Sequence, residues 1–285
     1  MSPHLHTHRG WPMAGLVFLM AVGCTESPLD EKISNTPAME IRGKIELDDR
    51  ASAKGIYVWL ERTPLSTYTD DAGEFRLTLP PPSQGQFAVA NGVYQLYFYV
   101  ANYKLTAVTA FLQNGQFLYS YGDFNGSGEL VHKVNLQKLL DIETLVEPAT
   151  VPANFDRHID VQTTLRAVRD SVTVVFPKMI GGLLGGLLLQ NLDTGQIFIN
   201  VSDFSATTRG VAKIGNEPRS FRQVFNLNQM PLPRGRYEVI PYFLIEQEPM
   251  PPNLIASIGP RVEEIGPDFL KIPFKRKGGN LLILE

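Results

Sequence analysis

The sequence predicts an all-β protein built from two β-sandwich domains. Glycine and proline are abundant, with 24 and 21 residues among 285, and this composition is typical of short strands joined by turns. Apolar and polar side chains alternate over short runs, and little of the chain has helical periodicity. About 260 residues follow position 23, and this length predicts two domains because domains commonly hold about 100–200 residues.

The amino-terminal segment predicts export. Residues 13–23 form an uninterrupted run of apolar and small side chains, which is too short to span a bilayer as a helix but suits the core of a secretory signal. The run ends in Ala21, Val22, Gly23 and Cys24, and Cys24 is the only cysteine in the chain. These residues resemble the cleavage site of bacterial lipoprotein signal peptides.

The resemblance implies that residues 1–23 are a signal peptide and that the Cys24 thiol is acylated, so the membrane is the first expected partner. Each buried methylene of an acyl chain contributes about 0.8 kcal/mol, so several chains form a stable anchor. Thr25 stands where an aspartate would favour the inner membrane, and the expected location is therefore the cell envelope, at the outer membrane in a Gram-negative source. The alternative is an ordinary leader followed by a lone buried cysteine.

Residues 24–38 have few apolar side chains and predict a disordered tether.

The first domain begins with a strand at 39–47, where every second residue is apolar or glycine. A second strand is predicted at 56–60. Between 69 and 75, two aspartates and Gly73 provide the side chains and backbone freedom of a turn. Phe75, Leu77 and Leu79 then resume the inward alternation.

These segments resemble the carboxypeptidase regulatory-like domain, in particular at 41–45, 69–75, 77–80 and 92–96. The resemblance covers 39–137 and implies a prealbumin-like sandwich with no catalytic residues of its own.

One departure from the family is the insertion at 81–91, which is expected to form a loop or an extra edge strand. Further strands are predicted at 94–100 and 105–112, followed by a hairpin across 117–136.

Four aromatic side chains form a candidate binding surface on the first domain. If the aliphatic residues of 56–60 point inward, Tyr57 and Trp59 point outward, and the same alternation places Tyr97 and Tyr99 outside. A contiguous surface of this kind usually marks a contact site. Two interpretations are open, in which the second domain or the insertion covers the aromatics, or in which they bind a glycan or a partner protein.

A second candidate is the turn that contains Asp123, Asn125 and Ser127. Their spacing matches the first half of a calcium-binding loop, but Val134 stands where the bidentate carboxylate belongs. We therefore predict an ordinary hairpin turn and no metal site.

Residues 138–153 are predicted to be a linker because Pro148 and Pro152 interrupt the roughly helical spacing of the leucines before them. The second domain, 154–285, resembles no family that the sequence identifies. Its alternating strands and turn signals predict an immunoglobulin-like sandwich. The glycine-rich run 179–189 is too short for a membrane span, so a loop that leads into a buried strand is favoured over membrane insertion.

Composition and motifs limit the function. Without Arg9, 25 basic residues face 29 acidic ones, which gives no electrostatic reason to expect nucleic acid as a partner. The sequence contains no hydrolase or nucleotide-binding motif, and His132 is more consistent with a strand position than with a metal or catalytic role. We therefore expect no cofactor and no catalytic residue.

The favoured hypothesis is a non-enzymatic binding or structural module whose partner is a glycan or an envelope protein. The alternative is an envelope polysaccharide hydrolase with a cross-strand carboxylate pair.

Overall fold

Strands make up most of the structure, a computed structural model that describes residues 39–80, 89–119, 121–180, 183–201 and 208–285. The predicted all-β class is confirmed, and the sheets are arranged as sandwiches. Neither of the two short helices among these residues is long and apolar enough to cross a membrane.

In the first half, the residues that the structure describes form eight strands in two sheets. Their bounds are β1 Glu40–Leu47, β2 Tyr57–Leu60, β3 Ser66–Tyr68, β4 Glu74–Thr78, β5 Gly92–Tyr99, β6 Thr106–Gln113, β7 Gln116–Phe117 and β8 Val134–Leu136. One sheet has the order β4-β1-β8 and the other the order β3-β2-β5-β6-β7. The hairpin predicted across 117–136 is not formed, because β7 pairs with β6 whereas β8 pairs in parallel with β1. Most of the insertion at 81–91 lies outside the described residues.

The two sheets of the first half enclose one hydrophobic core. Ile41 and Ile45 of β1 are fully buried against Val58 and Phe98 of the facing sheet, as the alternating pattern predicts. Gly43 lies between the two isoleucines, and a Cβ at this position would be 2.4 Å from Leu130 Cδ1. The inward face of β1 therefore requires glycine at one position for steric reasons.

The described residues of the second half form thirteen strands, one α-helix and one 3-10 helix. Its strands are β9 Leu140–Glu147, β10 Thr150–Pro152, β11 His158–Ala167, β12 Val172–Ile180, β13 Leu183–Leu184, β14 Gly186–Asn191, β15 Ile197–Val201, β16 Thr208–Ile214, β17 Arg219–Asn226, β18 Gly235–Pro241, β19 Leu244–Glu246, β20 Lys277–Gly278 and β21 Asn280–Leu284. Helix α1 is Leu254–Ile258, and the 3-10 helix is Pro267–Lys271. Three sheets result: β17-β11-β9-β20, β10-β21-β18-β14-β15, and β13-β12-β16 with β19 paired to β12.

The sheet of β9, β11 and β17 packs its inner face against both other sheets of the second half. Its apolar residues divide into two hydrophobic clusters along the strands. Thr144, Thr163 and Gln223 occupy the positions between these clusters, one on each strand, and all three are buried. Their side-chain polar atoms have no hydrogen-bond partner among the described residues. A short polar row therefore separates the two apolar clusters.

Strand β14 is buried on both of its faces. Leu187 and Leu189 pack in the core of the second half, whereas Leu188 packs against Tyr57 and Trp59 of the first half. This explains why the sequence has three consecutive leucines there instead of an alternating pattern. Residues Pro37–Glu285 accordingly form one compact unit.

The segment 138–153, predicted as a linker, contains β9 and β10. Strand β9 pairs along its whole length with β11, and Leu140, Ile142 and Val146 are buried. Most of the predicted linker is therefore paired strand. The physical reason is that the inward residues of β9 provide part of the core of the second half.

Candidate ligand-binding cleft

The four aromatic residues predicted as a surface do lie on one face. Strands β2 and β5 are antiparallel neighbours, with Tyr57 opposite Tyr99 and Trp59 opposite Tyr97. The rings of Trp59 and Tyr97 stack with their centroids 6.1 Å apart. Their face is opposite to the one that forms the core of the first half.

This aromatic face is not an exposed binding surface. Tyr57, Trp59 and Tyr99 are buried and Tyr97 is partly buried, because the second half covers them. The covering residues come from β14, β18, α1 and the 3-10 helix, and they include Leu188, Ile240, Tyr242, Leu254, Phe269 and Ile272. The Tyr57 hydroxyl donates a hydrogen bond to Ser257 Oγ at 3.0 Å. Two interpretations of the aromatic face are open from the sequence. The structure has the one in which the second half covers the aromatic side chains.

The candidate calcium loop is a turn whose oxygens bind its own backbone. Asn125 Oδ1 accepts hydrogen bonds from the backbone N–H groups of Ser127 and Glu129, both at 3.0 Å. Asp123 Oδ2 accepts one from the Thr109 N–H at 2.7 Å. In the part of the chain that the structure describes, no three His, Cys, Asp or Glu residues are grouped as metal ligands. His132 is exposed, and Cys24 lies outside the described residues.

A cleft of about 710 Å³ lies where the first half meets the second. Its walls are the turn that follows β1, the strands β9 and β11, and the segment 274–277 that leads into β20. Its charged lining residues are the cations Lys138, Arg166, Lys275, Arg276 and Lys277 and the carboxylates Asp49, Asp141, Glu143 and Glu238. The lining also includes the hydroxyl groups of Ser52 and Thr164 and the ring of Phe274.

Lys138 connects the two halves at one end of this cleft. Its side chain is only 9% exposed, and its Nζ lies 2.8 Å from Asp49 Oδ2 of the first half and 2.8 Å from Asp141 Oδ1 of the second. Arg166 on the neighbouring strand pairs with the other oxygen of Asp141, at 2.8 Å. The Lys138 N–H also donates to Asp48 Oδ1 at 3.0 Å. The Lys138 ammonium and the carboxylates of Asp49 and Asp141 are thus paired with one another.

The lysine keeps both carboxylates ionised. Burial is the largest single influence and raises the pKa of Asp49 and Asp141, but the hydrogen bond from Lys138, the other hydrogen bonds to each carboxylate and the nearby positive charge together bring each pKa below its ordinary value of 3.8. Burial likewise lowers the pKa of Lys138, and the hydrogen bonds to Asp141 and Asp49 raise it above 10.5. Neither aspartate can therefore hold a proton near neutral pH.

The other end of the cleft contains cations with weaker partners. The Arg276 side chain is 17% exposed, and its nearest carboxylate, that of Glu238, lies 3.8 Å away, beyond hydrogen-bond distance. Its guanidinium carbon lies 5.4 Å from the centroid of the Phe274 ring. Burial lowers the pKa of Arg276, and Glu238 only partly opposes this effect. Burial also lowers the pKa of Lys275, whose Nζ donates to the Lys54 carbonyl.

The sequence alone does not predict this cleft. Its residues come from a predicted linker, from a strand and from a carboxyl-terminal segment that carried no motif. The only local signal was the run Lys275, Arg276 and Lys277, and a run of charges is usually a solvated surface.

The sequence matches no protein-family model, and no curated protein matches it. Among solved structures, the major pilin subunit BcpA of Bacillus cereus is similar over 70% of this chain and 63% of its own, with 10% identity and a TM-score of 0.24. A variant of that subunit gives the same values. The Bacillus anthracis TIE protein is similar over 74% of this chain and 48% of its own, with 9% identity and a TM-score of 0.23. This chain thus spans less than two thirds of the length of each of these structures.

Proposed function

We propose that this protein is a lipid-anchored component of the cell envelope that acts as a non-enzymatic binding or structural module. The observation that carries the binding role is the cleft at the junction of the two halves. It combines a rigid, internally paired end with an end where cations lack close partners. Largely preformed concave sites with a few convergent polar groups are where proteins commonly bind ligands.

A hydrolase is the less favoured alternative. Glycoside hydrolysis requires one carboxyl group that remains protonated to act as the acid and a second that is ionised. Asp49 and Asp141 share one ammonium group, and that group lowers the pKa of both. This arrangement suits charge pairing and argues against acid catalysis by these two residues.

The anchor rests on the sequence around Cys24. An acylated cysteine after a cleaved signal would attach the protein to the envelope, at the outer membrane in a Gram-negative source. The proposed ligand of the cleft is a glycan or an envelope protein.

Replacement of Cys24 tests the anchor. We expect Cys24→Ala to abolish acylation and to move the protein from the detergent-requiring membrane fraction to uncleaved precursor or released material. Thr25→Ala, which keeps the thiol, is the matched control and should remain acylated. Mass spectrometry of the mature amino terminus measures the modification. An unmodified thiol in the natural protein, together with unchanged fractionation of the variant, would refute the anchor.

A further inference from the structure

The guanidinium of Arg276 is a charged group without an adequate partner. Its only described ion pair is the 3.8 Å approach of Glu238, and it forms no hydrogen bond to another residue that the structure describes. A guanidinium has five N–H donors, and a buried charge is costly unless it is paired and hydrogen-bonded. Arg276 also lines the cleft, so a ligand in the cleft can supply the missing acceptors.

The charge balance of the cleft indicates how much negative charge such a ligand carries. Five cations and four carboxylates line it, so its formal net charge is +1. Lys138 and Arg166 are already paired with Asp49 and Asp141, which leaves Lys275, Arg276 and Lys277 opposite Glu143 and Glu238. One additional negative charge balances this end, whereas a doubly charged phosphate would leave it with a net charge of −1.

The two glutamates favour a ligand that has hydroxyl groups. Glu143 is exposed on β9 and forms no ion pair with another described residue, and Glu238 is partly exposed on β18. A carboxylate is a strong acceptor for the O–H groups of a sugar, and Thr164 and Ser52 provide further hydrogen-bonding groups nearby. A singly charged ligand with several hydroxyls uses both the cationic and the acidic residues of the cleft.

We infer that the cleft binds an acidic sugar residue, a uronic acid, with its carboxylate on the Arg276 guanidinium and its hydroxyls on the glutamates. Arginine matches a carboxylate with two parallel N–H donors, which fixes the orientation of the sugar. The inference rests on the proposed binding function and specifies the chemical class of the ligand. It does not depend on the Cys24 anchor.

Isothermal titration with galacturonic acid, which carries one carboxylate, tests the inference, and its methyl ester is the uncharged probe. We expect the acid to bind the folded protein and the ester to bind at least about tenfold more weakly, because a charge-assisted hydrogen bond is lost. Arg276→Gln should weaken the binding of the acid by a similar factor, and Arg276→Lys should restore part of it. Circular dichroism verifies that each variant is folded.

A rim variant keeps the test decisive if the Arg276 variants do not fold. Lys277 is exposed, and Lys277→Glu changes the formal charge of the cleft from +1 to −1, so binding of the acid should fall at least about tenfold. Lys213→Glu makes the same charge change at an exposed residue of β16 that does not line the cleft. This control should leave the binding of the acid unchanged.

Three results would overturn the inference: no binding of the acid, equal binding of acid and ester, or equal effects of the two charge reversals. Tighter binding of an acidic tripeptide than of the sugar would also overturn it, in favour of a peptide ligand. Membrane fractionation of the same variants tests the anchor separately, so failure of the sugar site is distinguishable from failure of the envelope location.

Discussion

Lys138 joins the two halves through ion pairs with Asp49 and Asp141. Replacement by methionine keeps the length of the side chain but leaves Asp49 with no ammonium partner and Asp141 with Arg166 alone. Breaking a fully buried pair costs about 3–5 kcal/mol. Because these carboxylates are 27% and 31% exposed, we expect Lys138→Met to lower the free energy of unfolding by about 2 kcal/mol.

Urea unfolding at pH 7 measures this loss. Lys133→Met is the matched control, because Lys133 pairs with Glu46 at the same 2.8 Å but both side chains are exposed, and it should cost less than about 1 kcal/mol. Equal losses for the two variants would contradict the role of Lys138.

The ion pairs of Lys138 make the free energy of unfolding depend on pH. The folded-state pKa values of Asp49 and Asp141 lie below 3.8, so on acidification the unfolded chain takes up protons first. The stability that these carboxylates provide is present above pH 3.8 and is lost as the pH falls through their folded-state values. The folded-state pKa of Lys138 is raised above 10.5, so the stability that this lysine provides is present below pH 10.5 and is lost only at higher pH. The difference between the natural protein and Lys138→Met should therefore be constant near neutral pH and shrink in acid.

At the scale of elements, strands with a clean period of two were predictable and β9 was not. In β9 the buried residues Leu140, Ile142, Thr144 and Val146 alternate, but Thr144 is polar and Leu145 on the outer face is 50% exposed. One polar residue inside and one apolar residue outside are enough to conceal the alternation. The roughly helical spacing of the leucines, interrupted by two prolines, predicts a linker instead, because sequence alone does not show that β11 pairs along the whole strand.

The turn between β20 and β21 is an element whose glycines are required. The chain passes there from the sheet of β9 to the sheet of β18, and Gly278 and Gly279 have φ values of +79° and +77°. A Cβ on Gly278 would lie 2.0 Å from the carbonyl oxygen of Thr144. We expect Gly278→Ala to cost about 3 kcal/mol, from left-handed strain together with the displacement of β9.

Gly195→Ala separates the two contributions to this cost. Gly195 has nearly the same φ, +76°, but no atom lies within 4 Å of its hypothetical Cβ, so only the strain of about 1–2 kcal/mol applies. Chemical unfolding of both variants measures the difference. The same cost at both positions would show that β9 can move away from the turn.

At the scale of the whole molecule, the aromatic face was predictable but its cover was not. Strand alternation alone places Tyr57 and Trp59 together on the side opposite to the core. The covering residues of α1 and the 3-10 helix follow far along the chain and belong to no predicted element, because α1 has only five residues and begins after Asn253 in a left-handed conformation. Sheet pairing within each half is more local than the packing between halves, so the packing leaves a weaker signal in the sequence.

This joint burial predicts how the molecule unfolds. Residues Pro37–Glu285 form one compact unit, and Trp59 in the first half shares a hydrophobic cluster with Phe269 in the second. Truncation of a buried aromatic side chain costs about 3–5 kcal/mol. We expect Trp59→Ala and Phe269→Ala each to lower the midpoint of one and the same calorimetric transition. Tyr121→Ala removes an aromatic that is 60% exposed and should change that midpoint only slightly. Two transitions, of which Trp59→Ala lowers only one, would instead establish two independently folding domains with a boundary near 138–153.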